Sequence, residues 1–412
     1  MKRLLLLTIV PALLFGDDLK SLLNFAKKHN NLITASKISV EAKEKELQSA
    51  TSSYYPTLDA SAFYKRDDEA SPFQPGTNYG ARAKIDYTLY DGGKRFYTKK
   101  QKENEKTSSS FNYKDTKNSI LLSVTQDFYN IKTLQANLKA QVEASKAVKA
   151  QLERMQHFYK AELATSDDVD RLQSAYDSSI YSIESLKFQI QALTKTLELQ
   201  IGKRIDFLQD SHFIKESQKN ADELDAIQAL RYNKKALLNL SETIDSYYYP
   251  TIRLEDTYSI YGYQDKPNLG RIPIEYLDNQ NEIMATVGIR IFDFGKLKEQ
   301  KEAVKLQADA LNEQIIYRSK EQQMQLTLAQ QRIETNRLKI KSAKSALKAA
   351  KSALKTITRK YNAGIVDNVV YLDALSSKTK AKAAYEKSLN DLEIAYALYY
   401  YYNNKDLEEL VQ

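Results

Sequence analysis

The segment Tyr54-Tyr55-Pro56-Thr57-Leu58 returns later in the chain as Tyr248-Tyr249-Pro250-Thr251-Ile252. Two further pairs of segments follow in the same order: residues 89–94 with 291–296, and residues 159–163 with 361–365. Three matches in one order indicate an internal repeat, so each half of the chain is predicted to be one structural unit. The chain is therefore predicted to be a tandem duplication.

Glycine and proline, which break helices, are concentrated in two windows of the 412-residue chain. Residues 56–93 and 250–295 hold fourteen of the eighteen glycines and prolines. Between Gly93 and Gly202, and again between Gly295 and Gly364, neither residue type occurs. Because proline removes a backbone donor and glycine costs about 1 kcal/mol in a helix interior, these stretches are predicted to be very long helices. A helix over residues 296–360 would be roughly 95 Å long.

The second of these long stretches carries a coiled-coil pattern. An apolar side chain recurs at every seventh position, and further apolar side chains stand three positions after some of these: Ile333, Ile340, Leu347, Leu354 and Tyr361, with Ala343, Ala350 and Ile357. This spacing predicts a seam between packed helices. An exported coiled-coil rod would explain the seam but not the two glycine- and proline-rich windows.

Within each window the hydrophobic period changes from helical to strand-like. Strands are predicted at about residues 56–65 and 79–91 in the first window, and at about 250–262 and 281–292 in the second. Apolar and polar residues alternate over about ten positions, which is typical of half-buried strands. Asp256 interrupts the apolar face of its strand.

Two interpretations of the predicted strands remain open at this point. One is a soluble hairpin packed on a core, and the other is a transmembrane barrel, whose strands run about 9–11 residues with alternating faces. Strand length, alternation and aromatic residues near the strand ends favour the barrel. Because barrels start at about eight strands and an open edge in lipid is costly, four strands per chain would require several chains.

The N-terminus has the features of a secretory signal. Lys2 and Arg3 precede an apolar run over residues 4–14, and cleavage is predicted after Gly16. The sequence has no cysteine, which excludes disulfides and thiolate metal sites. The formal net charge is +8, but lysine and glutamate interleave along the predicted helices, as in residues 41–46. This pattern is typical of solvated helix faces, so no nucleic-acid partner is predicted.

No pattern in the sequence indicates catalysis. His29, His157 and His212 are scattered without metal-ligand spacing, and no glycine-rich phosphate loop occurs. The carboxylates of residues 167, 168 and 170 fit the start of a helix, where acidic side chains suit the helix dipole. We therefore predict no enzyme activity, no cofactor and no metal site.

Together these features resemble the TolC-type outer-membrane efflux family over nearly the whole mature chain. The resemblance rests on the duplicated halves, on Tyr-Tyr-Pro before each strand pair, and on an Asp-x-Gly-Lys turn before each long helix. Residues 360–374 are its most specific part and are similar to the family's second helix-hairpin tip, and residues 159–169 are similar to the first. The implied domains are a signal peptide at 1–16, repeat 1 at 17–205 with a tip at about 157–168, and repeat 2 at 206–412 with a tip at about 359–370.

The family implies a mainly α fold with a β-barrel portion, built from a duplicated helix-strand-strand-helix-hairpin repeat. Three chains would form a twelve-stranded barrel in the outer membrane and a long α-helical barrel in the periplasm. The implied function is a passive exit duct of a tripartite efflux system, with a homotrimer, a periplasmic adaptor, an inner-membrane transporter and outer-membrane lipid as partners. The alternatives are a type I protein-secretion duct and, from a different class, an exported coiled-coil structural or adhesion protein.

The resemblance also implies candidate site residues. Tyr361, Asp373 and Asp168 align with pore gate and constriction positions, and a ring of Asp373 from three chains would attract cations and hold a blocking divalent ion. Adaptor contact is implied at the two tips, at Ala161, Leu163, Ala363, Gly364 and Ile365. The alternatives are that Tyr361 is a seam residue and Asp168 a solvated or helix-cap residue.

Three positions depart from the family pattern. Val366 and Val370 stand where well-known members have a basic and an acidic residue, so apolar packing, more than a salt bridge, is expected to hold the closed state. Glu162 stands where the first tip usually has glycine, which makes adaptor contact at that tip a weaker expectation.

Overall fold

The computed structural model describes residues 17–69, 71, 75–215, 221–266 and 275–412. The predicted signal peptide lies outside these described residues. The chain divides into two compact units. The hairpin unit comprises the residues up to Ser36 together with Tyr113–Asp225 and Arg318–Gln412, and the sheet unit comprises Lys37–Asn112 and Ala226–Tyr317.

The helices and strands follow the same order in both halves of the chain. The first half contains α1 (Leu19–His29), α2 (Asn31–Ser52), β1 (Thr57–Arg66), β2 (Thr77–Asp91), α3 (Lys94–Lys160) and α4 (Ser166–Ile201). The second half contains α5 (Asp225–Asp245), β3 (Thr251–Gln264), β4 (Asn279–Gly288), α6 (Lys296–Asn362) and α7 (Asn368–Tyr402), with short 3₁₀ turns at Ser246–Tyr248 and Leu407–Glu409. Both α3 and α6 are 67 residues long, which agrees with a duplicated unit. In the described part of the chain, no helix is both long and apolar enough to cross a lipid bilayer.

The turn before each long helix has the same structure in both halves. The Asp91 carboxylate accepts from the backbone N–H of Gly93 at 3.2 Å and of Arg95 at 3.0 Å. The Asp293 carboxylate accepts in the same way from Gly295 and Leu297, each at 3.1 Å. Gly93 and Gly295 have φ angles of 90° and 85°, a region that side chains disfavour. These contacts explain why aspartate and glycine stand two residues apart before each long helix.

The sheet unit contains one antiparallel four-stranded sheet in the order β1-β2-β3-β4. The two halves of the chain meet in it, because β2 pairs with β3 along their length, for example Ala83 with Tyr258. One face of the sheet is predominantly apolar on all four strands, with Leu58, Ala60, Ala62, Ala81, Ala83, Ile85, Leu254, Tyr258, Ile260, Ile283, Ala285 and Val287. Asp256 lies on this apolar face between Ile85 and Ile283. The opposite face is polar and carries Arg82, Lys84, Glu255 and Glu282.

The last strand is shorter than the alternation of its residues predicts. Strand β4 ends at Gly288, whereas the predicted strand runs to about residue 292. Gly288 pairs with Thr251, the first residue of β3. The preceding residue, Pro250, has no N–H to continue the ladder. Residues 289–292 therefore keep the alternating sequence without a partner strand in the same chain.

The hairpin unit has two hydrophobic clusters. The larger surrounds the fully buried side chains of Phe128 and Tyr400 and includes residues of α1, α3, α4, α6 and α7. The smaller lies towards the turns of the two helix hairpins and contains Tyr361 and Tyr371. The heptad residues of α6 pack as their spacing predicts: Ile333, Leu347 and Tyr361 are buried, and Ile340 and Leu354 pack against the clusters.

Candidate functional site

The two helix hairpins, α3–α4 and α6–α7, end in turns with the same hydrogen-bond pattern. In the first tip the backbone N–H of Leu163 donates to the carbonyl of Phe158 at 2.9 Å, and in the second Ile365 donates to Lys360 at 2.9 Å. An N–H that reaches back five residues beyond a left-handed residue is a Schellman motif, which satisfies carbonyls at a helix C-terminus. The tip positions matched in sequence are therefore equivalent in three dimensions.

The residue in the left-handed conformation differs between the tips. It is Glu162 in the first tip, with φ of 60°, and Gly364 in the second, with φ of 71°. Glycine adopts this conformation freely, whereas a residue with a Cβ pays a steric penalty of roughly 1–2 kcal/mol. The first tip keeps the fold of the second in spite of the substitution of glycine by glutamate.

The helix that follows each turn begins with a side-chain cap. Thr165 accepts from the N–H of Asp168 at 3.3 Å at the start of α4, and Asp367 accepts from the N–H of Val370 at 3.0 Å at the start of α7. The Thr165 hydroxyl also donates to the Asp168 carboxylate at 3.0 Å. The acidic cluster of residues 167 and 168 thus lies in the first turn of α4, as predicted.

Asp168 and Asn368 connect the two tips. The buried amide of Asn368 donates to a carboxylate oxygen of Asp168 at 3.2 Å and to its backbone carbonyl at 3.3 Å. A hydrogen bond to a charged group is stronger than one between neutral groups. Asp168 therefore has two roles, because it is part of the α4 cap and also holds the start of α7. No sequence pattern points to Asn368, because its partner is remote along the chain.

Tyr361 is buried in the smaller cluster, with 7% of its surface exposed. Its ring stacks on that of Tyr371, with the centroids 5.0 Å apart. The guanidinium of Arg154 lies 5.7 Å from the Tyr361 ring and donates to the side chain of Asn362 at 2.7 Å. Burial raises the pKa of both tyrosines, so both stay protonated at neutral pH. Neither Arg154 nor Tyr371 was predicted from the sequence to contact Tyr361.

The hydroxyl of Tyr361 is also buried and makes no hydrogen bond to any described residue. Val366, one of the positions that depart from the family pattern, packs against the same cluster. Val370, a second of these positions, is 41% exposed. The tip is thus held by apolar and aromatic packing around Tyr361, together with the link between Asp168 and Asn368.

Asp373 lies apart from this cluster. Its side chain is exposed on α7, on the same side as the exposed residues Val369 and Val370. Ala374 and Leu375 are buried on the other side of the helix. The structure therefore brings Tyr361 and Asp168 into one cluster and leaves Asp373 on an open face. Among the described residues, no group of histidine and acidic side chains could hold a metal ion.

The residues predicted to contact an adaptor are all exposed: Ala161, Leu163, Ala363, Gly364 and Ile365. Leu163 and Ile365 are 75% and 70% exposed and occupy equivalent positions after the left-handed residue. A large aliphatic side chain exposed at the end of a hairpin is not part of the core of its own chain. Each tip therefore presents one large aliphatic side chain directly after its left-handed residue.

Comparison with known proteins supports the same architecture. The sequence profile of the family described as "Outer membrane efflux protein" matches residues 22–202. The fold is similar to that of the CmeC outer membrane channel of Campylobacter jejuni, with a TM-score of 0.82 and 16% identity over 93% of this chain and 85% of that one. It is also similar to the outer membrane protein VceC of Vibrio cholerae, with a TM-score of 0.79 and 14% identity over 94% and 96% of the two chains.

A third similar structure is the open state of the MtrE outer membrane channel of Neisseria gonorrhoeae, with a TM-score of 0.79 and 16% identity over 94% of this chain and 89% of that one. No curated protein sequence gives a significant match. At these identities the structural likeness establishes the fold, and the profile match is confined to the first repeat of the chain. The first repeat of this chain is thus similar in sequence to the outer membrane efflux protein family, and the chain as a whole has the fold of outer membrane channels.

Proposed function

We propose that three copies of this chain form the passive exit duct of a tripartite efflux system. The observation that carries the proposal is the open sheet of the sheet unit. One of its faces is predominantly apolar, and the sheet order leaves β1 and β4 at the two edges. In lipid, unpaired backbone groups at a sheet edge cost several kcal/mol each, so the edges need partner strands. Pairing β4 of one copy with β1 of the next closes the sheet without an edge.

The duct has no chemistry of its own in this proposal. An inner-membrane transporter supplies the energy, and a periplasmic adaptor connects the transporter to the tips. The exposure of Leu163 and Ile365 supports adaptor contact at both tips. Covering exposed apolar side chains with a partner is favourable, because it removes apolar surface from water. The alternative of a type I protein-secretion duct uses the same architecture, and the transporter that co-purifies with the chain distinguishes the two.

Single-channel recording of the purified mature protein in a planar bilayer tests the main proposal. We expect a trimer with a small, stable, cation-selective conductance, because the tip constricts the pore. A folded, detergent-stable protein that is monomeric and does not conduct would contradict the proposal. That result would favour the alternative of an exported coiled-coil structural or adhesion protein.

For the gate, we propose separate roles for the three candidate residues. Tyr361 holds the helices of the closed tip together, which its burial and its stacking on Tyr371 support. Asp168 fixes the start of α7 through Asn368. Asp373 lines the constriction, and three such carboxylates attract cations and bind a blocking divalent ion. Opening separates the helices of the second hairpin from their neighbours when an adaptor docks.

The substitution Asp373→Asn tests the constriction. It removes three charges from the trimer, so we expect weaker cation selectivity and about tenfold weaker divalent block, equal to about 1.4 kcal/mol. The control is Asp170→Asn, which removes another exposed carboxylate near the first tip. Equal effects of both substitutions, or no effect of Asp373→Asn, would remove Asp373 from the pore.

A further inference from the structure

The part of α6 nearest the second tip carries a concentration of positive charge. Between Glu334 and Asp367 there are nine basic residues and no acidic one. Arg337 pairs with Glu334 and Lys339 pairs with Asp391, each at 2.8 Å. The five lysines that follow form no ion pair with any described residue: Lys341, Lys344, Lys348, Lys351 and Lys355. This basic row is an excess of charge that its own chain does not neutralise.

The basic row runs along one side of α6. Its members are three or four residues apart, so they are neighbours on the helix surface, and all five are exposed. Like charges at this spacing repel each other and destabilise a helix. An anionic partner that lies along the row would remove this cost.

The helix α4 carries the opposite charge near the first tip. Residues 166–188 hold five acidic and two basic side chains. Asp177 and Glu184, the acidic pair, are exposed and seven residues apart, so both lie on one side of α4. Glu184 pairs with Lys187 at 2.7 Å on the same helix. Because exposed pairs of this kind contribute little to stability, both carboxylates are available to a partner with several cations.

The acidic pair and the basic row match in spacing and in direction. The chain runs towards the tips along α6 and away from them along α4, so the two helices are antiparallel. Lys348 lies 14 residues before the end of α6, and Asp177 lies 11 residues after the start of α4. The corresponding values for Lys341 and Glu184 are 21 and 18 residues. The constant difference of three residues is about 4.5 Å along a helix, which a lysine side chain can span.

Aromatic and small side chains accompany the charges. Tyr181 and Phe188 are 77% and 71% exposed, and each follows one member of the acidic pair by four positions, on the same side of α4. Small exposed residues of α6 adjoin the basic row: Ser345, Ala349 and Ser352. A partner that covers the two rings removes apolar surface from water, and the small residues allow it to approach closely.

A second copy of the chain is the partner that fits both helices. The two hairpins of one copy meet through α3 and α7, where Glu143 pairs with Lys382 at 2.8 Å and Asn390 donates to Thr133 at 2.9 Å. The acidic pair and the basic row therefore lie on the remaining two helices, α4 and α6, and both are exposed. Two different surfaces that join head to tail generate a closed ring when the rotation between copies closes.

We propose that the acidic pair on α4 of one copy binds the basic row on α6 of the next, and that this contact selects copies of the same chain for one assembly. This inference rests on the proposed function, which requires several copies. Lys348 pairs with Asp177 and Lys341 with Glu184, while Tyr181 and Phe188 cover the small side chains of α6. In coiled coils, charges that flank the seam set the choice and orientation of the partner.

Cross-linking tests the contact directly, because the chain has no cysteine of its own. The variant with Asp177→Cys and Lys348→Cys, treated with a short bismaleimide in maltoside detergent, should give a covalent trimer on a denaturing gel. The matched control has Glu184→Cys and Lys355→Cys, which use the same two faces out of register. In the proposed arrangement these two sites are about 17 Å apart along the helices, so the control should give no covalent trimer.

Charge reversal tests the selection. We expect the trimer to dissociate in detergent at least about fivefold faster in Asp177→Lys with Glu184→Lys, since each exposed ion pair accounts for a factor of about two to five. Lys341→Glu with Lys348→Glu should have the same effect. The chain with all four substitutions restores opposite charges, so its trimer should dissociate at the rate of the parent protein.

The outcomes separate this inference from the proposed function. A parent protein that is trimeric and conducts, but whose matched cysteine pair does not cross-link or whose control pair cross-links equally, would overturn the inference alone. Reversed variants as stable as the parent protein, or a four-substitution chain without recovery, would also overturn it. A folded parent protein that is monomeric and does not conduct would instead overturn the proposed function.

Discussion

The two hairpin tips share one backbone design but use different side chains to hold it. Both have the same Schellman turn, with Glu162 in one and Gly364 in the other at the left-handed position. Tyr159 and Tyr361 are equivalent in the repeat, yet Tyr159 is 50% exposed and Tyr361 is 7% exposed. The duplicated sequence therefore specifies two copies of one turn, and tertiary packing gives only the second a buried aromatic core residue.

This difference explains why separate roles are proposed for Tyr361 in the second tip and Asp168 in the first. The second tip stacks Tyr361 on Tyr371 and places Val366 against the same cluster. The first tip contributes Asp168, which holds Asn368 at the start of α7. The second tip is thus stabilised by its own aromatic packing, and the first tip stabilises it further through the hydrogen bond between Asp168 and Asn368.

The largest expected effect comes from breaking the aromatic packing of the second tip. Tyr361→Ala should lower the local stability of the α6–α7 tip by about 3–5 kcal/mol, the usual cost of removing a buried aromatic ring. The equivalent substitution Tyr159→Ala should change the stability of its tip by less than about 0.5 kcal/mol, because that ring is largely in solvent. Hydrogen exchange of the backbone amides in both tips measures the two effects. Similar losses of protection would show that the tips do not differ as described.

The next effect concerns the link between the tips. Asn368→Ala removes the donor to the Asp168 carboxylate and should destabilise the start of α7 by about 1.5–3 kcal/mol, the range for a hydrogen bond to a charged group. Ser166 is the equivalent residue in the first repeat and is exposed, so Ser166→Ala is the matched control with an expected effect below about 0.5 kcal/mol.

Hydrogen exchange in the first turns of α4 and α7 gives the measurement for this pair. Unchanged protection at the start of α7 in Asn368→Ala would mean that the contact with Asp168 does not contribute to stability. The double-mutant cycle of Asn368→Ala with Asp168→Ala isolates the interaction itself, because the two residues are in direct contact.

The smallest effect comes from substituting Glu162 and Gly364, the two residues in the left-handed backbone conformation. Gly364→Ala should destabilise the second tip by about 1–2 kcal/mol, since alanine disfavours positive φ. No atom lies within 4 Å of the position that a Cβ would take, so the effect arises from the backbone alone. Glu162→Gly should stabilise the first tip by less than about 1 kcal/mol, because relief of strain is partly offset by the greater freedom of glycine in the unfolded chain. Exchange protection that moves in the same direction for both substitutions would contradict this explanation.

Much of the fold follows from local chemistry that the sequence displays. The absence of glycine and proline over two long stretches specified two helices, and the structure has both at 67 residues. The Asp-x-Gly-Lys segments specified the turns before them, because the aspartate caps the next N–H groups and glycine allows positive φ. The end of β4 was predicted four residues too late, since alternation describes the faces of a strand but not the presence of a partner.

The candidate site was only partly predictable, because the sequence shows local interactions but not contacts between distant residues. The sequence by itself determined the duplicated turns, their caps and the residues exposed at the tips, all of which depend on interactions within a few positions of the chain. Only the tertiary structure decided that Asn368 donates to Asp168, that Arg154 lies over Tyr361, and that Lys94 and Arg290 both lie near the ring of Tyr247. These pairs join residues that are far apart in the chain, and their contacts depend on how the helices and strands pack rather than on any local pattern.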